Sequence, residues 1–280
     1  MASIRIVTDS ACDLSAAEAT AHGIVVVPLT IRFGDEEFVD GHDLTTEEFW
    51  ARCKASDVLP ETAAPSPGAF QQAFEAAEAD GCGGVLCLSL SGGVSATFQS
   101  ASAAARAVAG TIDVRAVDTR SMTMGLGLMC IDLADLAASG ADLDTLEARA
   151  RALIGRTQVY GVVDTLEHLE KGGRIGGARA LLGSLLSIKP VVALVDGEVA
   201  EESKQRTRSR SLRYLADKAH QSPPLSRIGV ADGAAADIDD FLALLADVPT
   251  EHPIVVTQLG PVIGTHTGPG TIGLCLITVD

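Results

Sequence analysis

Residues 84–97 read Gly84-Val85-Leu86-Cys87-Leu88-Ser89-Leu90-Ser91-Gly92-Gly93-Val94-Ser95-Ala96-Thr97. The first seven form a near-continuous apolar run, the pattern of a strand covered on both faces in a parallel sheet. The Ser/Gly turn then leads into an Ala-rich stretch, which predicts a helix over 95–109. Working outward, Ile4–Thr8 and Val114–Asp118 are strands, and Ile24–Ile31 is a β-rich run. Helices are predicted over Ser15–His22, Thr45–Ala55, Pro67–Asp80, Met124–Ser139 and Asp142–Gly155. Thr45-Thr46-Glu47-Glu48 is a good helix start, and Pro67 suits a first turn. Alternation of this kind predicts an α/β fold with a parallel sheet flanked by helices.

The pattern changes after about residue 160. Tyr160–Val163, Pro190–Val195, Ile228–Ala231, Ile254–Leu259 and Leu274–Val279 are strands. Thr165–Lys171, Ala178–Ile188, Arg210–His220 and Asp237–Ala246 are helices, and Asp196-Gly197 signals a hairpin turn. The expected architecture is two-lobed. An N-terminal α/β lobe spans 1–160, and a smaller C-terminal α/β lobe with a mixed sheet spans 161–280.

Composition narrows the functions available. Of 280 residues, 47% are hydrophobic and only 4% aromatic, so a large core is possible and base-stacking platforms are not favoured. The net charge of −16 repels nucleic acid and anionic lipid surfaces. No run reaches the roughly 18 apolar residues of a membrane span. Neither a secretory leader nor stable membrane insertion is expected. The six cysteines (12, 53, 82, 87, 130 and 275) show no zinc-type spacing with histidine. A reducing, cytoplasmic setting without a metal or other cofactor is the expectation.

Three polar islands stand where strands lead into helices, the usual ligand positions of an open α/β sheet. The first is Thr62-Ala63-Ala64-Pro65-Ser66-Pro67-Gly68. The second runs from Ser89 to Thr97, where free N–H groups and the hydroxyls of Ser91 and Ser95 suit an anion. The third, Gly260 to Gly270, places His266 between Thr265 and Thr267 among Gly and Pro. It reads as a shaped loop, neither helix nor central strand, holding either an active imidazole or a solvent-facing one. The Asp9-Ser10 turn is a possible fourth. Cations cluster at Lys171-Gly172-Gly173-Arg174 and from Lys204 to Arg210. No Walker loop and no G-x-S-x-G elbow occurs. Ser95, His266 and Asp9 can be arranged as a nucleophile triad on paper, so a stand-alone acyl hydrolase or phosphoryl-transfer enzyme using Ser95 and His266 is the alternative reading.

The stretches IVTDSACDLS (6–15), TAAPSPGAF (62–70), SGGVSATFQSA (91–101), VDTRSMTMGLG (117–127), DTLEHLEKGGRIGGARALLGSLLSIKPVV (164–192) and PVIGTHTGPGTIGL (261–274) together resemble the DegV family of bacterial fatty-acid-binding proteins. The resemblance implies two α/β lobes with one long-chain fatty acid, palmitate for example, enclosed between them. It also implies a carrier and not a catalyst, which presents the carboxylate to a partner fatty acid kinase for phospholipid metabolism. By the same resemblance Thr62, Ser95 and His266 bind the carboxylate, with Arg206 or its neighbour Arg208 as the cation. Lys171 and Arg174 fall on the kinase-facing surface. Ala63, Gly92 and Ala96 depart from the family pattern, removing hydroxyls or crowding the loops.

Overall fold

In the computed structural model, residues 3–56, 58–181 and 188–279 are described. The first half contains β1 (Ile4–Asp9), α1 (Ala16–Ala21), β2 (Val25–Val27), β3 (Thr30–Phe33), β4 (Glu36–Val39), α2 (Thr46–Ala55), β5 (Glu61–Ala63), α3 (Pro67–Ala79), β6 (Gly84–Ser89), α4 (Thr97–Ala107), β7 (Val114–Asp118), α5 (Thr123–Ala138) and α6 (Leu143–Ile154). The second half contains β8 (Thr157–Val162), α7 (Glu167–Lys171), β9 (Lys189–Val195), β10 (Glu198–Gln205), α8 (Arg208–Gln221), β11 (Leu225–Gly233), α9 (Ile238–Leu245), β12 (Val255–Gln258), α10 (Pro261–Thr267) and β13 (Thr271–Thr278).

Local chemistry explains several of these boundaries. Ser15 and Thr45 each form a reciprocal capping box, with Glu18 and Glu48. Ser66 caps α3 ahead of Pro67, whose missing N–H costs nothing in a first turn. The expected helix over Ala178–Ile188 lies partly outside the described residues; Gly176–Leu181 is a 3-10 turn.

The strands make three sheets. β2-β1-β6-β7 is parallel throughout, and every residue of β6 is buried, as its apolar run requires. The second sheet, β10-β9-β8-β13-β11-β12, is antiparallel except for the β11–β12 pair. Of a small antiparallel sheet, β4-β3-β5, the sequence expectations reach only the start of β3, through the run Ile24–Ile31. Its strands are short and mostly polar, so they carry no periodic signal. β10 was likewise not expected. It is a charged edge strand, Glu198-Val199-Ala200-Glu201-Glu202-Ser203-Lys204-Gln205, of the kind that resists pairing with other chains.

The six-stranded sheet is covered on both sides. One face, with Leu274 and Leu276 of β13, packs on α8 and α9 around Leu215, Phe241 and Leu245. The other face, with Cys275 and Ile277, packs on α5, which is buried along most of its length. α5 also touches β1 and β6, so it is the layer shared by the two larger sheets. Each fully buried Leu, Ile or Phe contributes about 1.5–3 kcal/mol. This arrangement brings the carboxyl ends of β6 and β7 over the exposed part of the second sheet's inner face, and the space left there is the chamber described next.

Candidate functional site

The chamber wall has two sides. Leu90, Val94 and Ser95 follow β6, and Met122 and Thr123 follow β7. Opposite them stand Val159 and Gly161 of β8 with Val192 and Leu194 of β9, and α10 closes one side with Val262, Ile263 and His266. A cavity of about 90 Å³ lies between the walls. Gly161 pairs directly with Gly273 of β13, and both line the chamber, so the sheet carries no side chain at that point.

The polar groups come from distant segments. Thr62 sits in β5, held against Ile31 of β3. His266 sits in α10, and its Nε2 lies 2.9 Å from Thr62 Oγ1. The segment expected to be a shaped loop is therefore a helix. Three features make it one. Pro261 occupies the first turn, where proline is tolerated. Thr265 and Thr267 donate their hydroxyls back to the carbonyls of Pro261 and Ile263. Gly264 lets the helix lie flat on α2, since a Cβ there would stand 2.8 Å from both Phe49 and Trp50. Gly268, at φ 79, then ends it.

Burial lowers the His266 pKa to about 4, helped by the nearby Arg174 and His168 charges. The imidazole is neutral at neutral pH, with Nε2 on Thr62 and a buried Nδ1 that has no hydrogen-bond partner among the described residues. A neutral imidazole with one nitrogen free can donate to an anion, and the Arg174 guanidinium beside it makes the local field positive.

Ser95 lines the same chamber. Its Oγ lies 2.9 Å from Thr97 Oγ1 and accepts the Thr97 N–H at 3.3 Å. It precedes α4, which starts at Thr97, later than the pattern predicted. Arg206 is exposed and is not part of the chamber wall. Arg208 is not part of it either, being paired with Asp237 at 2.9 Å. The cation on the wall is Arg174, which donates to the carbonyls of Val94 at 3.2 Å and Gly172 at 2.7 Å. Lys171 is exposed and paired with Glu167. The sequence marked Arg174 within a glycine-rich cation patch, but charge alone did not say which patch turns inward. Thr123 was not singled out at all; it lines the chamber at φ 47, a rare conformation for a β-branched residue.

The paper triad is not assembled. His266 bonds to Thr62 and Ser95 to Thr97, while Asp9 accepts the N–H groups of Ala11 and Leu90. A nucleophile needs its base within hydrogen-bond reach and that base oriented by a third group. Among the described residues no group of three His, Cys, Asp or Glu is placed to hold a metal ion, and no helix is long and apolar enough to cross a membrane.

The family described as "Uncharacterised protein, DegV family" matches residues 3–279. The chain belongs to the DegV family. A DegV domain-containing protein of Streptomyces coelicolor is 36% identical over 277 residues, 97% of each chain. Among solved structures, a fatty-acid-binding DegV family protein from Thermus thermophilus superposes with a TM-score of 0.88 at 31% identity, covering 99% of this chain and 100% of its own. DegV of Bacillus subtilis, a fatty acid binding protein, gives 0.87 at 28% identity over the whole of both chains. The DegV fold, a parallel sheet with helices followed by a mixed sheet, is the one described above.

Proposed function

We propose that this DegV protein binds one long-chain fatty acid in the chamber and presents its carboxylate to a partner fatty acid kinase. The observation that carries the reading is the Thr62–His266 hydrogen bond on the wall of a mainly apolar chamber. The related proteins from Thermus thermophilus and Bacillus subtilis, described as fatty-acid binding, support it.

The energetics fit. Burying about 14 methylenes at about 0.8 kcal/mol each contributes roughly 11 kcal/mol, against several kcal/mol for association and ordering. The carboxylate gains little from burial and requires donors to replace its water. The Ser95 hydroxyl and the one proton that the Thr62–His266 pair leaves free supply them, with Arg174 nearby to balance the charge. The chain contains no nucleotide-binding motif, so ATP and its metal come from the kinase. The roles of Thr62, Ser95 and His266 are binding and orienting, and His266 steadies the negative charge as the phosphoryl group arrives. Lys171 and Arg174 are the cations on the side of the site that faces the kinase.

Native mass spectrometry of protein purified from bacteria tests the proposal. A bound C16–C18 acid, or uptake of added palmitate or oleate, is the expected result. Protein that stays ligand-free with both acids contradicts it.

A further inference from the structure

Asp9 to Asp13 turn the chain at the end of β1, and three side chains of this turn bond to segments far away in sequence. Asp9 Oδ2 accepts the Leu90 N–H at 2.8 Å, while its Oδ1 accepts the Ala11 N–H at 3.1 Å. Ser10 Oγ accepts the Leu29 N–H at 3.0 Å. Asp13 Oδ1 accepts the Gly260 N–H at 3.0 Å, and the Asp13 carbonyl accepts the Thr257 hydroxyl at 2.6 Å.

Each bond lands at the root of a different wall of the chamber. Leu90 lines the chamber and opens the loop that ends in Ser95. Leu29 lines it as well and leads into β3, whose Ile31 pairs with Thr62. Gly260 is the N-cap of α10, the helix that carries His266. The Gly260 contact is close: a Cβ there would stand 2.6 Å from Asp13 Oδ1. Asp13 itself is held at φ 53, and it and Asp9 are only 6% and 0% exposed.

We infer that Asp13, together with Asp9 and Ser10, is a positioning residue that sets the spacing of Thr62, Ser95 and His266. Apolar packing brings segments together but is non-directional, so it does not fix donors to within a fraction of an ångström. Hydrogen bonds to backbone N–H groups are directional and do. One short turn holding all three roots keeps the donors in register, even though their segments share no continuous backbone. This inference rests on the fatty-acid reading of the chamber.

The test compares palmitic acid with hexadecanol, which has the same tail and no carboxylate, using the delipidated full chain and titration calorimetry. The parent protein prefers the acid. Asp13→Ala weakens acid binding about tenfold, the scale of one hydrogen bond to a charged group, and leaves alcohol binding unchanged. Asp13→Asn keeps an acceptor and restores the preference. Gly260→Ala breaks the same bond from the other side and reproduces the Asp13→Ala result, so it decides the matter if Asp13→Ala does not fold. Equal losses for acid and alcohol, no rescue by Asn, or an unchanged preference in Gly260→Ala overturns the positioning role. A parent protein that binds neither lipid overturns the fatty-acid reading instead.

Discussion

Gly161 of β8 stands directly opposite Gly273 of β13, and both face the chamber. The same row continues through Ala231 of β11 on one side and Val192 of β9 on the other. The inner face of the sheet is thus stripped of bulk at the point where the chamber lies against it.

A side chain at this pair fills space without colliding. A Cβ at Gly161 would meet nothing nearer than Val192 Cγ2 at 3.6 Å, and one at Gly273 nothing nearer than Ala231 Cβ at 3.4 Å. Gly161→Val is therefore expected to fold with a stability change within about 1 kcal/mol, the span of strand propensities. Its longer branches take up chamber volume. The mass distribution of co-purified acids should move to shorter chains; an unchanged distribution rules the pair out as a determinant of tail length.

Thr62→Val removes the hydroxyl that meets His266 Nε2 while keeping a β-branched side chain in β5. The lost hydrogen bond costs about 0.5–1.5 kcal/mol in urea unfolding. His266 also loses the partner that orients its one N–H, so acid binding should weaken by about tenfold or more, with hexadecanol binding little changed. Equal weakening of both lipids would place Thr62 in the tail region.

Burial pushes Asp9 up to about 7, against the N–H groups of Leu90 and Ala11. It pushes Asp13 up to about 8, against the Thr123 hydroxyl and the Gly260 N–H. In the unfolded chain both ionise near the ordinary value of 3.8, so between that pH and about 7–8 the folded protein holds more protons. Their contribution to stability is complete below about pH 4 and is lost as pH rises through about 7 to 8. His266 acts in the opposite sense at lower pH: its folded value of about 4 lies below the ordinary 6.5, so stability falls as pH drops through that interval. Urea unfolding of Asp13→Asn across pH 6–9 should fall less steeply than that of the parent. Parallel curves would show that Asp13 does not titrate in this window.

The parts of the fold that were legible had strong periodic or compositional signals. Gly84–Leu90 announced a doubly covered parallel strand, and Asp196-Gly197 marked the turn between β9 and β10. What was missed had weak or conflicting signals. β5 has three residues and only tertiary pairing to define it. The His266 segment has the Gly and Pro content of a loop, yet its glycine serves close packing on Phe49 and Trp50. The chemistry of Thr62, Ser95 and His266 was readable as residue types, and the structure sets all three on one chamber. Arg174 in place of Arg206 was not readable, because a run of cations carries no information about which guanidinium turns inward. Nor was the Asp9–Asp13 hub, whose partners lie 81 and 247 residues away.

β13 lies between β8 and β11, although it follows both in the chain. During synthesis, the ribosome must release residues up to about 278 before this sheet can be zipped across its middle. Until then β8 and β11 lack the strand that joins them, and the chamber lacks its Gly273 side. On the fatty-acid reading proposed above, a nick that removes β13 should discharge the ligand outright and not merely loosen its grip.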